Sequence, residues 1–180
     1  MKIESINIDV LNINFVYKFL LNRFINERLE SHLCCNGNLR STYNINRNLH
    51  KEKIFQKLVE KINLSSKNFF KDDLLITCMW ANVGEYGSNL SRHKHIEEYT
   101  SEDFKNYGIT GVFYLKKPKN SGNFIADQSI IEVKENQILF FSPHLFHETQ
   151  INQSDQKRVS VSFNGYLIPK NIHNARLNLT

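Results

Sequence analysis

Arg158-Val159-Ser160-Val161-Ser162-Phe163-Asn164 alternates without a break. Arg158, Ser160, Ser162 and Asn164 share one face of an extended segment, and Val159, Val161 and Phe163 share the other. This period of two predicts a β-strand with its apolar face against a core. The polar face has two readings. It is the wet side of a surface strand, or it lines an interior anion pocket, because Arg offers a rigid donor fork for a carboxylate. Taken alone, the strand favours the first reading.

The same texture extends to both sides of that run. Short branched or aromatic segments at 74–83, 108–115, 123–126, 130–133, 138–141 and 147–151 precede a strand at 159–167. Turn signals such as Pro118-Lys-Asn-Ser-Gly122 and Asn152-Gln-Ser-Asp155 separate them. Many short strands with few helices between them predict an antiparallel sandwich or barrel. The first seventy residues read differently. Phe15, Phe19, Leu20, Phe24 and Ile25 recur at helical spacing, with Asn14 as a candidate cap. Residues 36–47, rich in Asn and Ser, read as a loop. A second helix is expected over 50–62, with Ile54, Leu58 and Ile62 buried and Asn63-Leu-Ser-Ser66 closing it. No repeat or linker interrupts the chain. One domain over 1–180 is expected, mainly helical support over 1–70 and β structure over 72–170.

The 180 residues are 41% hydrophobic and 12% aromatic, enough to bury a sizeable core. No apolar run approaches the roughly 18 residues of a membrane span. No small-residue cleavage site follows the apolar segment 15–24, so a cytoplasmic protein is expected. Cys34, Cys35 and Cys78 make an odd count without CxxC spacing, which argues for reduced thiols rather than a disulfide framework. The net charge of +5 permits an acidic partner, but no nucleic-acid motif accompanies it.

The histidines cluster. Arg92-His93-Lys94-His95 is one group, and Phe141-Ser-Pro-His144-Leu-Phe-His147 another. In an extended segment His93 and His95 face the same side and can converge on one ion, with His147 arriving from a distant strand. Imidazole suits several first-row metals, so the ligands alone do not choose one. An HxH pair by itself is more often polar loop, and His144 reads as a surface or supporting residue. Trp80 reads first as core.

The segment from Trp80 to Tyr166 resembles the 2-oxoglutarate and iron(II)-dependent oxygenases. The matching features are Trp80-Ala-Asn82-Val, His93-Lys-His95, Gly111-Val-Phe-Tyr-Leu115, Pro118, Ser121-Gly122, Phe140-Phe-Ser-Pro143, His147 and Arg158 to Asn164. The resemblance implies a double-stranded β-helix, the jelly-roll or cupin-like fold, with supporting N-terminal helices. It implies iron(II) and 2-oxoglutarate as cofactor and co-substrate, with O2 as oxidant. His93, His95 and His147 would hold the metal. In a second register the set is His95, Glu97 and His147. Arg158 would pair with the distal carboxylate of 2-oxoglutarate, aided by Ser160, with Tyr114 and Asn82 as further contacts. Tyr114 has a competing reading as core. Residues 97–107 are longer than the usual loop and suggest a lid or a substrate-selecting loop. The implied reaction is hydroxylation of a C–H bond in a small-molecule or peptide substrate, with release of succinate and CO2. Two other readings stay open: a three-histidine cupin-type dioxygenase without 2-oxoglutarate, and a non-catalytic binding module. No membrane partner is expected, and a homodimer is compatible.

Overall fold

The computed structural model describes residues 2–5, 10–26, 34–95 and 106–169. In chain order its elements are β1 (Lys2–Ser5), α1 (Val10–Asn26), β2 (Cys35–Asn36), β3 (Leu39–Ser41), α2 (Gln56–Phe70), β4 (Asp73–Gly84) and β5 (Asn89–Leu90). There follow β6 (Gly108–Lys116), β7 (Phe124–Ala126), β8 (Ser129–Ile131), β9 (Gln137–Phe141), β10 (His147–Thr149) and β11 (Arg158–Ile168).

The alternating strand lies at the centre. β11 pairs antiparallel with β4 on one side and β6 on the other, inside a sheet ordered β1-β9-β6-β11-β4-β3. Val159, Val161 and Phe163 are fully buried on the face that carries the main core. Each such apolar side chain contributes about 1.5–3 kcal/mol on burial. Ile13, Val16 and Leu20 of α1 and Leu58 and Ile62 of α2 belong to the same core. Gly111 of β6 lies opposite Phe163, and a Cβ there would run into the Phe163 ring.

A second layer faces the polar side of β11. β10, β7 and β8 form a three-stranded antiparallel sheet, and β2 pairs with β5. The two are stitched edge to edge. His93 and His147 exchange backbone hydrogen bonds, each N–H to the other's carbonyl at 2.9 Å. The Leu90 N–H donates to Thr149 Oγ1 at 2.9 Å, and the Asn152 N–H to the Ser88 carbonyl at 2.8 Å. Two antiparallel layers with a cavity between them, and helices outside the larger one, make a jelly roll.

The seven strands expected between residues 74 and 167 match within two residues, whereas β1, β2, β3 and β5 were not anticipated. The helical third departs from the expected pattern. α1 buries Ile13, Val16 and Leu20, whereas Phe15 is 65% exposed. Its buried stripe is thus one position out of phase with the aromatic pattern, and Asn14 lies inside the helix rather than capping it. Residues 49–55 form two short 3-10 turns, and α2 then runs on to Phe70. Asn63-Leu-Ser-Ser66 does not close it, because Ser65 and Ser66 are buried within the helix. Termination falls at Lys71, in the left-handed conformation with φ 65°. Residues 36–47 include β3, which pairs with the active end of β4. Among the described residues no helix is long and apolar enough to cross a membrane.

Candidate metal centre and anion pocket

Between the layers lies a cavity of about 420 Å³, within the range of small-molecule sites. The antiparallel bridge between His93 and His147 brings their side chains together from segments 54 residues apart. His95 completes the group: its N–H donates to the Pro143 carbonyl at 3.0 Å, tying its segment to the turn before β10.

One ligand atom from each of His93, His95 and His147 lies within 4.8 Å of the others. The Nε2 atoms of His95 and His147 are 3.3 Å apart. Two nitrogens on a metal at about 2.1 Å sit roughly 3.0–3.4 Å apart for octahedral to tetrahedral angles, so this pair fits. The tautomers also suit a ligand role. His93 Nδ1 donates to the Ser91 carbonyl at 2.7 Å and His147 Nδ1 to the Leu145 carbonyl at 3.0 Å. In each ring Nε2 is then the acceptor nitrogen, the tautomer usual for metal-binding histidines. Burial, and then the neighbouring His93 ring, lower the pKa of His147 to about 3. Its imidazole is therefore neutral at pH 7, as a ligand must be. Phe124 stacks on it at 5.5 Å and Phe141 tilts against it at 4.7 Å, fixing the plane of the ring. Glu97, needed for the other ligand register, lies outside the described residues, as does most of the segment suggested as a lid.

Arg158 opens the polar face of β11, 5% exposed, with no carboxylate within salt-bridge distance among the described residues. Its Nη1 donates to the carbonyls of Ser121 at 2.5 Å and Gln150 at 3.1 Å, and its Nη2 to Thr149 Oγ1 at 2.9 Å. Three of five guanidinium N–H groups are thereby engaged, which orients the fork and leaves Nε and one Nη2 hydrogen for a guest. Burial lowers the Arg158 pKa, yet a guanidinium stays charged in proteins. A buried, unpaired cation is costly, and the cost is relieved by a bound anion.

The strand registers align the remaining predicted residues. Ser160 lies directly between Asn82 of β4 and Tyr114 of β6, so these three form one row across the cavity wall. Asn82 Nδ2 donates to Ser162 Oγ at 3.3 Å. Tyr114 is 2% exposed, and burial raises its hydroxyl pKa. It is both core and cavity wall, and so is Trp80, whose ring lies 5.9 Å from His95 and 5.1 Å from Tyr43. His144 is exposed and does not line the cavity. Thr149 went unread in the sequence. A period-two count from His147 would have placed it on the same face, one step towards Arg158.

No family model matches the chain, and no curated protein matches it. Solved structures do. HygX from Streptomyces hygroscopicus, with nickel, 2-oxoglutarate and hygromycin B bound, superposes with a TM-score of 0.66 at 12% identity, covering 92% of this chain and 82% of its own. SnoN, a non-heme α-ketoglutarate-dependent epimerase from nogalamycin biosynthesis, gives 0.71 at 10% identity, with 88% and 74% covered. A prolyl-4-hydroxylase from Pseudomonas putida gives 0.61 at 13% identity, with 93% and 92% covered. The chain therefore has the fold of these proteins, the double-stranded β-helix with helices against its larger sheet.

Proposed function

We propose that this chain is an iron(II)- and 2-oxoglutarate-dependent oxygenase. The observation that carries the reading is the meeting, in one cavity, of three imidazoles and a buried guanidinium that has no acidic partner among the described residues. His93, His95 and His147 would hold the iron. Arg158 would bind the distal carboxylate of 2-oxoglutarate through its two uncommitted N–H groups. Thr149 Oγ1 already accepts two hydrogen bonds, so its own hydrogen is available to the same carboxylate. Ser160, Tyr114 and Asn82 would line the co-substrate's flank. When bound, the metal and co-substrate supply the oxidation of a substrate C–H bond by O2, with succinate and CO2 released. The protein's own part is positioning and exclusion of water. Trp80, Phe124 and Phe141 would shield the metal, and the backbone bridge between His93 and His147 would keep two of its proposed ligands in register. The all-imidazole set also favours a second reading, a three-histidine dioxygenase in which Arg158 binds a substrate carboxylate directly.

Anaerobic addition of iron(II) and then 2-oxoglutarate separates the two. The proposed function requires a visible charge-transfer band that is absent in His147→Ala, and succinate formation once O2 is admitted. A protein that binds iron but shows neither the band nor any 2-oxoglutarate consumption is the three-histidine enzyme instead. The non-catalytic module predicts no stoichiometric iron at all.

A further inference from the structure

We propose that the substrate of this site is a small anionic molecule, its negative group held at the cavity mouth by Arg92 and Lys94 against the ring of Phe146. The inference rests on the oxygenase reading above and names its substrate class.

Arg92 and Lys94 flank His93, and both belong to the cavity lining. The Arg92 guanidinium carbon lies 5.0 Å from the centre of the Phe146 ring, and Lys94 Nζ lies 4.9 Å from it. Two cations thus share one aromatic platform immediately beside the metal ligands. The platform is anchored, since the Phe146 carbonyl accepts the Asp127 N–H at 2.8 Å. Arg92 is held in turn by the Asp127 carbonyl at 2.8 Å, with the Asp127 carboxylate 4.0 Å away. That carboxylate neutralises at most one of the two charges. Lys94 has no acidic group within salt-bridge distance among the described residues.

The charge balance of the cavity points the same way. Its described lining carries Arg92, Lys94 and Arg158, and neither Asp nor Glu. In the proposed site the charge of iron(II) is cancelled by the 2-oxoglutarate dianion, because three imidazoles add nothing. The loaded site, Arg158 included, then keeps one net positive charge, and the two cations of the mouth add to it. A carboxylate in the ligand set would have made the loaded centre one unit more negative. Low-dielectric walls focus such a field on an incoming anion. Those walls, Tyr43, Trp80, Leu39 and Leu90 among them, suit an apolar body behind the charged group. A carboxylate or a phosphate satisfies the mouth equally, and both belong in the test.

The single tryptophan of the chain, Trp80, sits in the cavity wall and reports binding by its fluorescence. The protein is loaded anaerobically with iron(II) and saturating 2-oxoglutarate, so that Arg158 is occupied. Phenylacetate, phenyl phosphate and neutral phenylacetamide are then titrated, with calorimetry as a second readout. At least one anion is expected to bind on the order of tenfold or more tighter than the amide. The double variant Arg92→Gln/Lys94→Gln is expected to close that gap, and Lys94→Glu to reverse it. Equal affinity of acids and amide, no saturable binding by any of the three, or a gap unchanged in the variants overturns the proposal. The charge-transfer band is read in the same samples. An intact band without the gap removes this inference alone, whereas a gap without the band removes the oxygenase reading and leaves an anion-selective mouth.

Discussion

Arg158→Lys keeps the charge of the anion pocket and removes its geometry. The guanidinium spends three N–H groups on Ser121, Gln150 and Thr149 and retains two for a guest. An ammonium has only three donors in all. It cannot hold three protein acceptors and also give a carboxylate two parallel hydrogen bonds. At least one charge-assisted hydrogen bond to the co-substrate is lost, worth about 1.5–3 kcal/mol. That corresponds to a 2-oxoglutarate dissociation constant raised roughly 10- to 150-fold. Anaerobic titration of the charge-transfer band with iron(II) present measures it, and thermal unfolding without co-substrate checks that the variant is folded. A folded Arg158→Lys protein that binds 2-oxoglutarate within threefold of the parent would show that the fork is not what grips the carboxylate.

The remaining predictions concern the turns and strand ends around Arg158. Asn152 is fully buried and donates to the carbonyls of Gly84 and Gln156 while accepting the Ser154 N–H. Asn152→Ala should therefore cost about 2–4 kcal/mol in urea unfolding. Gly122 has φ +80°, and a Cβ there would meet the Gln150 and Ile151 carbonyls. Gly122→Ala should destabilise by about 1–3 kcal/mol and weaken 2-oxoglutarate binding, because it displaces the Ser121 carbonyl that orients Arg158. Glu85 has a lowered pKa, chiefly through its hydrogen bond with Lys157. The unfolded state therefore binds more protons in acid. The stabilisation is present above the ordinary Glu pKa and is lost as pH falls through the folded value. The pair is partly exposed, so Glu85→Gln should cost under about 1 kcal/mol at pH 7, a difference that disappears in acid melts.

The β half of the molecule was legible because its long strands β4, β6 and β11 show a core on one face and the cavity on the other, so alternation survives in the residues. His147 and Arg158 were readable for the same reason: both begin strands, where phase decides which layer they face. The helical third was less legible. Phe15 matches the spacing of a buried face, but the docking of α1 on the large sheet leaves it exposed and buries Ile13 and Val16 beside the expected Leu20. The end of α2 was read too early because Ser and Asn favour turns locally, whereas here tertiary packing buries Ser65 and Ser66 inside a continuing helix. β3 and Tyr43 fell in a stretch that local composition marks as loop, and only pairing with β4 makes them cavity wall. The supports of Arg158 were least visible of all. Two of its three acceptors are backbone carbonyls, which carry no residue identity.

The exchange of amide hydrogen bonds between His93 and His147 separates the spacing of the centre from the identity of the side chains beside it. Two proposed ligands are registered by peptide groups that every residue possesses, so the side chains flanking them, Arg92 and Lys94 among them, are free to change their chemistry while the imidazoles keep their spacing. A scaffold of this kind lets selection rewrite what enters the barrel without retuning what happens at its heart.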